Sequence, residues 1–157
     1  MSDTNTHVSR RRFCSGACQA ASGATLATLF SACGGSSPTS PSGTASMLGV
    51  LSGRFLGSAV QVTVAGSALA DVGGAALIES IAGVFLLSRT STTAFTAIDA
   101  TCTHEGCTIT GADGNAYVCP CHGSRYNRNG QVLAGPARAS LRQFPASFAD
   151  GVVTIAI

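Results

Sequence analysis

The chain has no lysine and no tryptophan among its 157 residues, and charged side chains make up only 10% of it. Arginine therefore carries all the fixed positive charge, and it is unevenly placed. Within residues 1–32, Arg10, Arg11 and Arg12 stand against one acid, Asp3, which accounts for the net +2; beyond them six arginines balance six acidic residues. A neutral body without a basic stripe argues against a nucleic-acid partner. Histidine is equally sparse: after His7 only His104 and His122 remain. The length suits one domain plus a leading segment. A core this small calls for a supplement such as a metal site or a disulfide.

The cysteines are abundant by contrast, seven in all, and four fall into two boxes. The first reads Cys102-Thr103-His104-Glu105-Gly106-Cys107 and the second Cys119-Pro120-Cys121-His122-Gly123-Ser124, with fourteen residues between His104 and Cys119. Each box offers a Cys-plus-His pair, C-x-H or C-x-x-H, and one further cysteine. Two thiolates and two imidazoles suit a [2Fe–2S] cluster in which cysteines ligate one iron and histidines the other. A structural Cys2His2 zinc site would use the same four groups. It would leave Cys107 and Cys121 unexplained, and a framework made only of disulfides would ignore both histidines.

Upstream, Ser9-Arg10-Arg11-Arg12-Phe13 resembles a twin-arginine export signal and precedes an uncharged, moderately apolar stretch from Cys14 to Ala32. That route carries folded proteins, as a cluster assembled in the cytoplasm requires. Phe30-Ser31-Ala32-Cys33-Gly34 looks like a lipoprotein processing site with Cys33 as the acylated residue, although Phe30 stands where leucine is usual. Retention of the stretch as a spanning anchor, at about 20 residues, and release by cleavage are the rival readings. Residues 34–46 (GGSSPTSPSGTAS) form a flexible linker with no apolar face. The expected organisation is a signal or anchor over 1–33, a linker over 34–46 and a domain over 47–157, on the periplasmic face of the bacterial cytoplasmic membrane.

From Met47 onward the pattern is strand-like. Val60–Val64 alternates with period two, Gly83–Leu87 is a short apolar run, and Phe95–Ile98 leads into the first box. Gly151–Ile155 follows an Asp150-Gly151 turn signal. Ala68–Ile81 is rich in alanine, but Gly73-Gly74 interrupts it, so a turn between strands is expected there. The expected fold is all-β, an antiparallel sandwich or barrel with the two boxes on loops at one end.

The two boxes, Ser124 and Tyr126 after them, and Gly135-Pro136-Ala137 further on resemble the Rieske iron–sulfur family, specifically its high-potential, cytochrome bc-type branch. The resemblance implies one [2Fe–2S] cluster held by Cys102, Cys119, His104 and His122. It implies a Cys107–Cys121 disulfide clipping the loops, which an oxidising periplasm permits. It also implies Ser124 and Tyr126 hydroxyls donating to a bridging sulfide and to Cys102, which raises the potential. Gly135, Pro136 and Ala137 would cover the cluster from a third side.

For function, the resemblance implies one-electron transfer coupled to a proton on an exposed imidazole. Relatives in cytochrome bc-type complexes accept an electron and a proton from quinol beside a cytochrome b, then pass the electron to a c-type cytochrome. The rival expectation is a lipid-anchored carrier, or the small subunit of a molybdenum oxidase resembling arsenite oxidase, whose partner is the oxidase large subunit. Either way the chain is not catalytic alone. Glu105 stands where quinol-oxidising members commonly have leucine, and an apolar quinol pocket would have to desolvate its carboxylate. A terminal oxygenase is excluded, because its second iron needs two more histidines than the domain holds.

Overall fold

The computed structural model describes residues 45–157, which contain fourteen strands and no helix, hence none able to cross a membrane. The expected signal over 1–33, with Arg10, Arg11 and Cys33, and nearly all of the linker over 34–46 lie outside the described residues. Three sheets build the domain. The central sheet orders β12 (Gln143–Phe144), β7 (Phe95–Asp99), β6 (Gly83–Arg89), β5 (Ala75–Ser80) and β2 (Gly49–Ser52). An outer sheet orders β13 (Ala146–Ala149), β14 (Val152–Ala156), β4 (Ala59–Thr63) and β3 (Arg54–Leu56). A tip sheet orders β1 (Ser46–Met47), β8 (Gly111–Asp113), β9 (Ala116–Val118), β10 (Arg125–Asn127) and β11 (Val132–Ala134).

The central sheet is the shared wall of two cores. Ala76, Ile78, Phe85, Leu87 and Ala97 join Val60, Val62, Val153 and Ile155 of the outer sheet in one buried cluster. The alternate residues Leu77, Leu86 and Ile98 join Ile109, Tyr117 and Tyr126, together with Cys102 and Cys119, in the other. A strand buried on both faces reads as a continuous apolar run, as Gly83–Leu87 does. The outer sheet packs on one face only, so β4 keeps its alternation.

One expectation needs correction. The segment 68–81 is not all turn: turns run to Gly74, and β5 then forms between β2 and β6. Its Ala-Ala-Leu-Ile run is short and carries no polar alternation because both cores claim it. The pairing is antiparallel throughout the described sheets except β2 with β5, which run parallel.

Leu86 and Leu87 are both fully buried, on opposite faces of β6. Leu86→Ala and Leu87→Ala should each cost about 2–5 kcal/mol in chemical denaturation. Only Leu86→Ala should accelerate amide exchange across residues 102–107, because its side chain supports that loop's core. Equal exchange in the two variants would contradict this division of the cores.

Candidate metal centre

Both boxes sit on loops closed by the same pair of backbone hydrogen bonds. In the first, the Gly106 N–H donates to the Cys102 carbonyl at 2.9 Å and the Cys102 N–H to the Cys107 carbonyl at 2.8 Å. In the second, the Gly123 N–H donates to the Cys119 carbonyl at 3.1 Å and the Cys119 N–H to the Ser124 carbonyl at 2.8 Å. Gly106 and Gly123 close these turns at φ 76° and 71°, a region that side chains disfavour. A Thr101–Thr108 bridge pins the base of the first loop, and the Val118–Arg125 pair between β9 and β10 pins the second. The Cys107–Cys121 disulfide joins the loops.

This scaffold sorts the four expected ligands by depth. Cys102 and Cys119 are free thiols and only 3% and 2% exposed. His104 and His122 stand at the surface, their side chains 27% and 48% exposed and their rings edge-to-face with centroids 4.9 Å apart. The Nδ1 of His104 nevertheless points inward, buried without a hydrogen-bond partner. A buried imidazole nitrogen without a partner is costly as it stands and suited to a metal. Cys107 and Cys121, consumed by their disulfide, leave the four-ligand set as two cysteines below and two histidines above. That donor set fits a [2Fe–2S] cluster with mixed ligation.

The surroundings favour negative charge at Cys102. Burial pushes its thiol up, but hydrogen bonds from the Tyr126 hydroxyl, the His104 backbone, the Cys119 thiol and the Ser124 hydroxyl together bring it below the ordinary value. Cys119 goes the other way: burial, with the hydrogen bond and charge of Cys102, raises it against the lowering effect of the Cys121 and His122 backbones. The two sulfurs titrate as a pair, and the protein alone accommodates one thiolate more readily than two.

Tyr126 is fully buried, and its hydroxyl lies 3.2 Å from the Cys102 sulfur. Burial and that bond both raise its pKa, so it stays a donor. Ser124, also fully buried, accepts the Ala137 N–H at 3.2 Å, which leaves its own proton free for a sulfur. The same bond seats the Gly135–Ala137 loop against the second box. A Cβ on Gly135 would come within 2.6 Å of the Ser124 Cα, so only glycine permits this approach.

One residue escapes sequence reasoning. The Thr103 N–H donates to the Tyr126 hydroxyl at 3.2 Å, its Oγ1 lies 3.0 Å from the same oxygen, and that Oγ1 donates to the Ala139 carbonyl at 2.6 Å. Thr103 thus ties the first loop, Tyr126 and the covering loop together. The only available signal was a hydroxyl residue between two candidate ligands.

The disulfide bridges residues 14 apart in sequence. Cys107→Ser with Cys121→Ser should lower stability by about 3 kcal/mol, the chain-entropy value for a loop of this length. Denaturant titration of the intact protein checks this. An unchanged unfolding free energy would mean that the paired backbone hydrogen bonds fix the loops alone.

Comparison with known proteins bears on this arrangement. The family model described as Rieske [2Fe-2S] domain matches residues 57–145. The chain is 37% identical over 114 residues to cytochrome b6-f complex iron-sulfur subunit 2 of Synechocystis sp., covering 70% of this chain and 63% of that protein. It is 44% identical over 69 residues to the chloroplastic cytochrome b6-f complex iron-sulfur subunit 1 of Nicotiana tabacum, covering 43% of this chain and 30% of that protein. The matches thus span less than two thirds of these relatives' own length. Naphthalene 1,2-dioxygenase with indole bound in its active site aligns with a TM-score of 0.52 and 17% identity, over 62% of this chain and 25% of that one. At that identity the likeness is one of fold alone. The chain belongs to the Rieske [2Fe–2S] domain family, and one [2Fe–2S] cluster is its cofactor.

Proposed function

We propose that this chain is an exported, membrane-tethered, high-potential Rieske subunit of a quinol-oxidising cytochrome bc-type complex. The observation that carries the reading is the pairing of two buried thiols with two surface imidazoles on loops joined by a disulfide. Its relatives, named as cytochrome b6-f iron–sulfur subunits, support the same assignment. When bound, the cluster supplies one-electron redox chemistry.

The protein's own residues do the rest. Cys102 and Cys119 would hold the cluster from the buried side, where Tyr126 and Ser124 donate to sulfur. Such bonds favour added negative charge and so raise the potential. His104 and His122 would hold it from the exposed side and keep a proton at their outer nitrogens, facing a partner. Quinol would give up one electron and one proton at that face, and its second electron would go to a cytochrome b with the second proton released to water. A c-type cytochrome would receive the electron passed on. Arg10 and Arg11 would direct export by the twin-arginine route. Cys33 would carry the lipid, and residues 34–46 would tether the domain over 47–157 to the periplasmic face of the membrane.

Glu105 favours a second reading. Its side chain is 60% exposed and reaches both imidazoles, at 3.8 Å from His104 Nε2 and 3.6 Å from His122 Nδ1. Entry into an apolar quinol pocket would desolvate that carboxylate. A periplasmic carrier, or the small subunit of a molybdenum oxidase resembling arsenite oxidase, would not meet this cost. A cytochrome b gene beside this one favours the quinol complex, and a molybdenum oxidase gene favours the subunit.

Redox titration of the loaded protein, followed by electron paramagnetic resonance, tests the reading. The expected midpoint is positive, within the Rieske range of about −150 to +300 mV, and falls as pH rises through neutrality. A fall with pH means that reduction takes up a proton, as a histidine at the exposed face requires. A negative midpoint flat across neutrality would leave only the simple carrier. Ser124→Ala and Tyr126→Phe should each lower the midpoint; an unchanged or higher value in both would refute their role as donors to sulfur.

A further inference from the structure

The surface through which electrons must pass carries little charge. Arg125, next to Ser124, is held by Asp113 at 2.7 Å. Pro120 and Pro136 are exposed on the second and third loops, and Arg138 is exposed where the third loop leaves the cover. Within residues 102–107 and 119–124 the one acidic side chain is Glu105. It is the most exposed of the three groups that cluster there. One polar atom each from His104, Glu105 and His122 lie within 4.8 Å of one another. A carboxylate so placed borders any approach to the imidazoles.

We propose that Glu105 makes the imidazole face selective for redox proteins that present a cation, a lysine or arginine, beside their own redox centre. The inference rests on the electron-transfer reading but holds for either version of it, because both end with an electron passing to a protein. A cation opposite Glu105 gains a charge-assisted contact at the point of electron exchange. A partner presenting a carboxylate there meets like charge, which discriminates between partners and slows encounter. The domain is neutral only with Glu105 counted, so the effect is local, and salt screens it because the carboxylate is exposed.

Two small oxidants of opposite charge test this on the loaded, reduced protein. Stopped-flow oxidation by trivalent tris(phenanthroline)cobalt cation is compared with oxidation by trivalent ferricyanide anion, and the ratio of the two rates is followed. A change in the protein's potential moves both rates in the same sense, and the midpoint measured on the same samples corrects the remainder. Glu105→Gln should lower the cation-to-anion ratio on the order of tenfold at low ionic strength.

Asp71→Asn removes an equal charge from the far end of the central sheet, where Ala75 pairs with Ser88 and Ser88 with Thr96. It should leave the ratio unchanged. In the unsubstituted protein the ratio should fall as salt is added, a measurement that needs no variant. A ratio insensitive to Glu105→Gln overturns the proposal whatever salt does, as does an equal shift in the two variants. Absence of the cluster's resonance signal from the unsubstituted, loaded protein would instead count against the electron-transfer reading, so the two failures are distinguishable.

Discussion

The fixed separation of the Cys102 and Cys119 loops is the constraint on which the site depends. Each loop is closed by the same two backbone hydrogen bonds, and each offers one cysteine and one histidine. Neither can complete a four-ligand set alone. What sets one against the other is partly covalent, through Cys107 and Cys121, and partly the packing of both cysteines into the core shared with Leu77, Leu86 and Ile98. The central sheet therefore works as a bench. Its far face is held by the outer sheet, and its near face receives the loops.

The polar network above that bench accounts for the asymmetry between the two sulfurs. Cys102 receives the Tyr126 hydroxyl, while at Cys119 burial and the neighbouring Cys102 outweigh the backbone hydrogen bonds at Cys121 and His122. Tyr126 in turn is fixed by Thr103, and Thr103 is tied to the covering loop at Ala139. Ser124 is fixed by Ala137 in the same manner. Each donor to sulfur is thus oriented by the third loop. Gly135 is required so that this loop can approach, which makes Gly135-Pro136-Ala137 part of the electrostatic design as well as a cover.

Much of this was legible in the residues. Alternation in Val60–Val64 reports a sheet with one buried face, and the unbroken run Gly83–Leu87 reports a strand buried on both. Strand β5 was hidden because two glycines precede it and its Ala-Ala-Leu-Ile core shows neither helical nor alternating period. The parallel pairing of β2 with β5 leaves no local mark, since register between distant strands is set by the cores. The disulfide was legible only through family resemblance: one disulfide among the four box cysteines can be drawn in six ways, and spacing does not choose among them. Thr103 was invisible because its role lies in contacts to residues 126 and 139, far along the chain.

The scarcity of charge that the sequence displays acquires meaning at the tip. A chain with no lysine and a balanced body exerts little long-range steering, so partner choice falls to short-range chemistry around the exposed imidazoles. On such a surface a single carboxylate weighs more than it would among many charges. Glu105 would oppose entry into an apolar pocket and favour a cationic face, whereas the sulfurs and their donors are buried away from both. The fold thereby separates two properties. On the proposed reading Tyr126 and Ser124 would tune the potential below the surface, and what lies beside His104 and His122 would select the partner above it. On that reading a change at residue 105 would redirect the protein to another partner without rebuilding the centre that holds the electron.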